Sequence, residues 1–509
     1  MKISRIRITN FRSYQEEITI NLDDLNVFVG ENDIGKSTIL EALDIFFNEN
    51  KGVIKLDKDD INKHSKREGN LEIKISVIFS SIPESLTIDS TNPTSLSDEY
   101  LLTKNGCLEI IKKYPNAGKE KVFIKAYHPT NANCAGLLLK KNSDLKKLLT
   151  DGMVCEDRTK NAEIRKTIWN HYSNDLQLEE IEIELAKEDA KNTWAQLKSY
   201  MPLYSLFQSD RKNSDGDSEV QNPMKLAVQE ILKDQRLVDS LNGIANEVEI
   251  KLNEVAKKTL EKLNEMNPEI AESLTPVIPS AESLKWFDVF KSVSITGDED
   301  IPINKRGSGV KRLVLLNFFR AEAERRKNEN NVPSIVYAIE EPETSQHPNH
   351  QRKLIEAFIE LSSSENTQIL LTTHSPSIVK LLEFDHIKLI KKEPDKEIVN
   401  VQRNELPYPS LNEVNFLAFG ESNDEYHNEL YGFIESEELL TEYKNGKQTI
   451  SYIRILHNGN TQEEQKILSE YIRHQIHHPE NTHNQRFTDE QLQQSIGKMR
   501  VFIESKNLS

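Results

Sequence analysis

The segment LNVFVGENDIGKST, residues 25–38, constrains the fold more than any other stretch of the chain. Its apolar run reads as a buried strand ending at Gly30. KSTILEALDIFFNEN, which follows, carries Ile39, Leu40, Leu43, Ile45 and Phe46 at helical spacing. Between strand and helix, Gly30 to Ser37 fits the pattern G-x-x-x-x-G-K-[ST]. Glycines let the main chain wrap closely enough for its N–H groups to cradle phosphate oxygens, and the helix N-terminus adds its positive end. Lys36 is expected to reach the outer phosphates, and the Ser37 hydroxyl to ligate Mg²⁺. Gly30, Asn32, Gly35, Lys36, Ser37 and Thr38 are the expected nucleotide contacts.

A second segment, SIVYAIEEPETSQHP, ends an apolar strand on Glu340 and Glu341 before Pro342. Adjacent carboxylates repel, and burying either one alone costs several kcal/mol. A metal bound to a nucleotide is the positive partner that permits this. Glu340 is expected to hold Mg²⁺, and Glu341, on the other side of the strand, to polarise the attacking water. QILLTTHSP places His374 at a strand end, where its imidazole could meet a terminal phosphate. RGSGVKRL is a Gly-Ser-Gly loop opening a helix, again an anion-binding device.

Strands and helices alternate around these segments, which implies a mostly parallel sheet. NLEIKISVIFSS reads as a further strand. Apolar residues from Leu237 to Leu263 mark a long amphipathic helix of about 40 Å, too short for an extended coiled-coil arm. FKSVSITGDEDIPINKRGSG reads as a hairpin and VKRLVLLNFFRAEAERRK as a helix. Residues 86–234 mix charges without a clear period and are expected to form an inserted helical region. Residues 411–509 are expected to be a separate helical, His-rich unit.

With 65 Lys and Arg against 82 Asp and Glu, the formal net charge is −17, which argues against broad unassisted binding to a phosphate backbone. Hydrophobic residues at 37% and charged residues at 29% indicate a solvated globular chain of two to four units. Cys107, Cys134 and Cys155 lack metal-type spacing and read as reduced thiols. MKISRIRITNF reads as a strand rather than a signal peptide, and no run of about 18 apolar residues occurs. A cytoplasmic location is expected.

In order and content, NFRS (10–13), GENDIGKST, GSGVKRL, AIEEPETSQHP and LLTTHSP together resemble the ABC-type ATPases of the RecF, SMC and OLD branch. The resemblance covers roughly residues 1–80 and 235–400, within an expected discontinuous head of 1–85 and 235–405, and EEPE followed by HP is most similar to OLD-like ATPases of bacterial anti-phage defence. It implies an ABC-type head with a mixed or parallel sheet and ATP and Mg²⁺ as ligands. ATP would lie between two heads of a homo-oligomer. One head would supply Lys36, Ser37, Glu340, Glu341 and His374, with Asn10 and Arg12 of NFRS beside the nucleotide. The other would supply Ser308 and Gly309. Val310 and Lys311 depart from the usual Ser-Gly-Gly-Gln signature. Gln208, in LFQSDR, is the candidate for the family's glutamine loop.

OLD nucleases carry a Toprim domain marked by a strand-end Glu-Gly and a later Asp-x-Asp. NFLAFGESNDEY has Phe419 where that glutamate would stand, so no Toprim nuclease is expected here. The resemblance then implies a regulatory ATPase for a nuclease made as another chain, of HNH or Toprim type. Nucleic acid would be reached through that partner. The alternatives are a RecF-like DNA-repair ATPase and an ATPase-gated ribonuclease. For the last, Arg473 and His478 in EYIRHQIHHPENTHNQR match the Arg-x(4–6)-His pattern of HEPN ribonucleases. His474, His477 and His478 are also candidate metal ligands. The first reading of this tail is a polar helix pair, capped at Pro479, that binds a partner subunit; the ribonuclease and metal readings are the alternatives.

Overall fold

The structure, a computed structural model, describes residues 1–49, 51–89, 92–185, 190–208, 223–266, 285–286, 319, 334–344, 347–391, 397–401, 410–456 and 459–506. The strands in the N-terminal part are Lys2–Thr9 (β1), Ile18–Asn21 (β2), Leu25–Val29 (β3), Glu72–Ser80 (β4), Leu86–Asp89 (β5) and Asn92–Thr94 (β6). Leu108–Pro115 (β7), Lys121–Pro129 (β8), Leu178–Glu184 (β9) and Leu203–Phe207 (β10) follow. Beyond the long helix come Ile335–Glu340 (β11), Thr367–Thr373 (β12), Ile387–Lys391 (β13), Glu397–Asn400 (β14), Thr449–Ile455 (β15) and Thr461–Ile467 (β16).

Two six-stranded sheets form the frame. The first has the order β2-β1-β4-β7-β8-β9 and is antiparallel throughout. The second has the order β10-β11-β12-β3-β13-β14, with every pair parallel except β13–β14. All residues of β3 and β12 are buried, and all of β11 but its last. That is the pattern of parallel strands covered on both faces, and it explains their unbroken apolar runs.

On one face Phe28, Val336, Ala338 and Leu370 pack with the helix Lys36–Asn48 (α1) and the antiparallel sheet. On the other, Val27, Tyr337, Ile339 and Leu371 pack with Leu354 and Phe358 of the helix Pro348–Ser362. Gln368, buried in β12, bolts the sheets together. Its Oε1 accepts from Ile3 N–H at 2.7 Å, and its Nε2 donates to Ile3 O at 2.8 Å and Asp23 O at 3.0 Å.

The region expected to be an inserted helical unit is instead partly sheet. Strands β7, β8 and β9 extend the same sheet as the N-terminal β1. In β8 the side chains Val122, Ile124, Ala126 and His128 are buried while Lys121, Phe123, Lys125 and Tyr127 between them are not, a period of two obscured by interleaved charge. Helices Asn142–Lys147 and Asn161–His171 pack as a small satellite around Trp169 and Cys134. The long helix spans Gln235–Met266, close to its expected bounds. The hairpin expected at 290–309 lies outside the described residues. So does the helix expected at 310–327, except Phe319, which is buried against Phe207, Tyr337 and Phe358.

The C-terminal unit mixes helices Asp424–Ser436, Leu468–His477 and Asp489–Ser505 with the β15–β16 hairpin. Tyr426, Leu430, Ile472, Ile496 and Met499 form its core. Arg500 meets the fully buried Glu413 through Nε at 3.0 Å and Nη2 at 2.5 Å, with the Tyr426 hydroxyl on the same carboxylate. Among the described residues no helix is long and apolar enough to cross a membrane.

Two buried histidines give the fold a pH dependence. His128 Nδ1 donates to Tyr100 O (2.9 Å), and His427 Nε2 shares a hydrogen bond with Ser495 Oγ (3.0 Å). Burial pushes both from the ordinary 6.5 down to about 4. The unfolded chain therefore takes up these protons near pH 6.5 and the folded chain only near 4, so stability is lost as pH falls through that window. Each histidine should contribute about 2 kcal/mol of the loss between pH 7 and pH 5. Urea unfolding of His128→Gln and His427→Gln should show a pH 7-to-5 decrement smaller than wild type by that amount. An unchanged decrement would show that the histidine is not kept neutral.

Candidate nucleotide site

Three neighbouring parallel strands, β11, β12 and β3, end at one edge of the second sheet. Thr373 pairs with Val29 and Glu340 with Thr372, so Gly30, His374 and Glu341 leave the sheet at nearly one level. With strands about 4.8 Å apart, the phosphate-type loop and the twin acids stand roughly 10 Å from each other, with His374 between them. Open α/β sheets bind ligands beyond the carboxyl ends of their strands. Both segments leave the same edge of one sheet.

The loop is shaped for an anion. Gly30, Asp33 and Gly35 have φ of 154°, 60° and 110°. A Cβ on Gly30 would lie 3.1 Å from Ile390 O and 3.2 Å from Ile34 Cγ2, which explains the glycine. α1 has no side-chain cap and no acidic residue in its first turn, so its leading N–H groups stay available to a negative ligand. Lys36 Nζ donates to Gly30 O and Glu31 O, both at 2.8 Å. Burial lowers the Lys36 pKa, and the carboxylates of Glu341, Glu343 and Asp33 oppose that fall. Tyr14, which the sequence did not single out, holds the loop from below through a hydroxyl bond to Gly35 O at 3.1 Å.

At the acid strand the chain turns sharply. Glu341 has φ of 40°, a left-handed value that strains a residue with a side chain, and its N–H donates to Thr372 O at 3.0 Å. Pro342 then occupies a tight turn closed by Thr344 N–H to Glu341 O at 3.1 Å. This turn brings Glu343 back against the end of β12. Its Oε1 accepts from Thr373 Oγ1 at 2.7 Å and from His374 N–H at 3.1 Å. Burial raises the Glu343 pKa, and these hydrogen bonds and His374 work against the rise. His374 Nδ1 lies 3.1 Å from Glu341 Oε1. The following His-Pro starts a helix: His347 caps it and Pro348 takes its first position.

Gln208 arrives from the end of β10. Its Nε2 donates to Glu41 Oε1 of α1 at 3.2 Å and to Glu340 Oε1 at 3.4 Å, so the glutamine candidate does stand beside the acid strand. Arg12 pairs with Glu41 and with Asp60, the latter at 2.7 Å. Asn10 is fully buried and donates its amide to Asn70 O and Glu72 O at 3.1 and 3.0 Å. That is a main-chain clamp, in place of the nucleotide contact expected of it. Asn32 is exposed on the loop, and Ser37 and Thr38 open α1. Ser308 and Gly309 lie outside the described residues.

The donors suit a hard cation. Ser37 Oγ and the Glu340 carboxylate are oxygen ligands of the kind Mg²⁺ takes. Among the described residues no group of three His, Cys, Asp or Glu could hold a metal alone. One carboxylate, one hydroxyl and phosphate oxygens make up the usual Mg²⁺ set at such sites.

Among the described residues the tail histidines form no group of three metal ligands. Arg473 donates to Glu435 at 2.9 Å and lies over the Tyr431 ring, while His478 contacts Glu480 at 3.2 Å. Arg473 is thus engaged by a neighbouring helix and His478 by its own loop, against the ribonuclease pairing. His474 stacks on Tyr452 with ring centroids 5.1 Å apart, and the expected metal cluster is not formed among the described residues.

A loop, lysine and strand-end acids in this arrangement define a nucleotide-hydrolysing P-loop protein. The chain belongs to the AAA ATPase domain family, which matches residues 1–379, and ATP hydrolysis is the activity of that family. Endonuclease GajA of Bacillus cereus (strain VD045) is 24% identical over 405 residues, which cover 78% of this chain and 59% of GajA. OLD nuclease of Thermus scotoductus is 29% identical over 102 residues, 20% of this chain and 18% of that protein. These relatives bear out the likeness to OLD-type ATPases read from the motifs. The chain spans less than two thirds of the length of either. An SMC head bound to the C-terminal winged-helix domain of ScpA covers 78% of the chain and 98% of its own at 13% identity and a TM-score of 0.35. The SMC head of Thermotoga maritima covers 79% and 100% at 12% identity and a TM-score of 0.31.

Proposed function

We propose that this chain is an ATPase subunit that closes head-to-tail with a second copy around ATP and thereby regulates a nuclease. The observation that carries the reading is the shared sheet edge, from which the Lys36 loop, His374 and Glu340–Glu341 depart at nearly one level. Lys36 leaves its two loop carbonyls for the outer phosphates, while the main-chain N–H groups of the loop and of α1 hold the rest of the chain of phosphates. Ser37 and Glu340 would hold Mg²⁺, which supplies charge neutralisation at the phosphates when bound. Glu341 takes a proton from the attacking water and orients it. His374 donates to the terminal phosphate. Gln208 carries the position of the acid strand to α1 through Glu340 and Glu41.

Ser308 and Gly309 of the second copy would complete the site. The relatives' names, a nuclease in both cases, support a link to nuclease activity, and the lack of the Toprim mark in NFLAFGESNDEY is the reason for assigning that activity to a partner of HNH or Toprim type. In purified form the chain should hydrolyse ATP slowly and leave duplex DNA intact. Size-exclusion chromatography should show a dimer or larger species that grows with ATP in Glu341→Gln. DNA cutting by the chain alone, lost in Glu340→Ala, would refute the division of labour, and a monomer at every nucleotide state would refute the head-to-tail closure.

A further inference from the structure

We propose that Glu343 is the positioning residue for His374 in ATP turnover, a duty that rests on the reading of the site as an ATPase centre. The His374 side chain is 42% exposed, so packing does not fix its pose. The ring meets Glu341, and the hydrogen bonds that fix the main chain carrying it converge on one carboxylate, Glu343, that is itself 6% exposed. Glu343 Oε1 receives the Thr373 hydroxyl and the His374 N–H, and it lies 3.7 Å from His374 Nδ1. Thr373 Oγ1 in turn accepts Ser375 N–H at 3.0 Å, so the main chain on both sides of the histidine is tied to this single oxygen.

Held there, the ring presents Nδ1 to Glu341 Oε1 at 3.1 Å. The order of dependence runs from Glu343 to His374 to Glu341, from a buried anchor to a half-exposed ring to the carboxylate assigned to the water. A carboxylate kept for packing alone would pair both oxygens. Glu343 Oε2 is buried with no hydrogen-bond partner among the described residues, an unmet demand of the kind that functional sites retain.

A double-mutant cycle on the full chain tests this, with kcat and KM for ATP as readouts. Glu343→Ala should lower kcat about 30-fold and change KM less than about threefold. In a His374→Ala background the same change should lower kcat less than about twofold further, because the residue to be positioned is gone. Glu343→Gln, whose amide oxygen can take both donors, should return kcat to within about threefold of wild type. Should Glu343→Ala fail to fold, Glu343→Met fills the same volume without an acceptor and replaces it in the cycle. Losses that multiply in the two backgrounds overturn the proposal, as does a Gln variant no better than Ala. Lys36→Ala is run in parallel. Turnover surviving that change overturns the ATPase reading of the site, whereas turnover abolished by it together with multiplying losses overturns only the duty of Glu343.

Discussion

Lys36→Ala is expected to lower kcat/KM for ATP by at least about 100-fold, close to 3 kcal/mol of lost interaction with phosphate charge. Lys36 is buried and lies within electrostatic reach of three carboxylates, yet its hydrogen bonds go to two neutral carbonyls of its own loop. Burial disfavours its charge, and a triphosphate would restore the balance more fully than those carbonyls do. The loop loses the lysine's two bonds to Gly30 O and Glu31 O on substitution but keeps the Tyr14 bond to Gly35 O. Hydrolysis assays and titration with a fluorescent ATP analogue measure the effect, with the melting temperature as a control for folding. Normal turnover in the variant would dismiss the phosphate-contacting role.

Glu341 gives the second large effect, and its backbone makes the test two-sided. Glu341→Gln keeps shape and hydrogen bonding but cannot take a proton, so kcat should fall about 100- to 1,000-fold with ATP binding retained. Glu341→Gly should abolish turnover as well, yet stabilise the fold by about 1 kcal/mol by relieving the left-handed strain at φ 40°. A gain in melting temperature together with lost hydrolysis marks a strained residue kept for chemistry. If Glu341→Gln hydrolyses ATP at the wild-type rate, the water-polarising group is elsewhere.

The phosphate-type loop was legible because its chemistry is local. The glycines, the lysine and the helix start all lie within a dozen residues, and neighbouring strands change none of them. The twin acids were legible by elimination, since a buried strand seldom ends on two carboxylates without a positive partner nearby. Glu343 was in plain view in EEPE, but its contacts depend on how the turn at Pro342 folds onto β12, and spacing does not report that. Tyr14 carried no signal at all. The strands β7 to β9 were missed although KVFIKAYH alternates, because lysines and glutamates on the solvent side read as a patternless mixture. Arg473 and His478 show the limit of spacing as a guide: one side chain meets Glu435 and the other Glu480, which the interval between them does not report.

The place of β3 has a consequence for how the protein is made. The strand that launches the loop near residue 30 finds both its sheet neighbours in β12 and β13, with Ile369 opposite Leu25, a separation of 369 − 25 = 344 residues. Long-range pairing of this kind is slow to form. On the ribosome, at about 5–20 residues per second, the first part of the binding edge must wait roughly 17–70 seconds for its mates. A nascent or truncated product ending before residue 373 would carry the whole glycine-lysine motif and still have no cleft in which to use it.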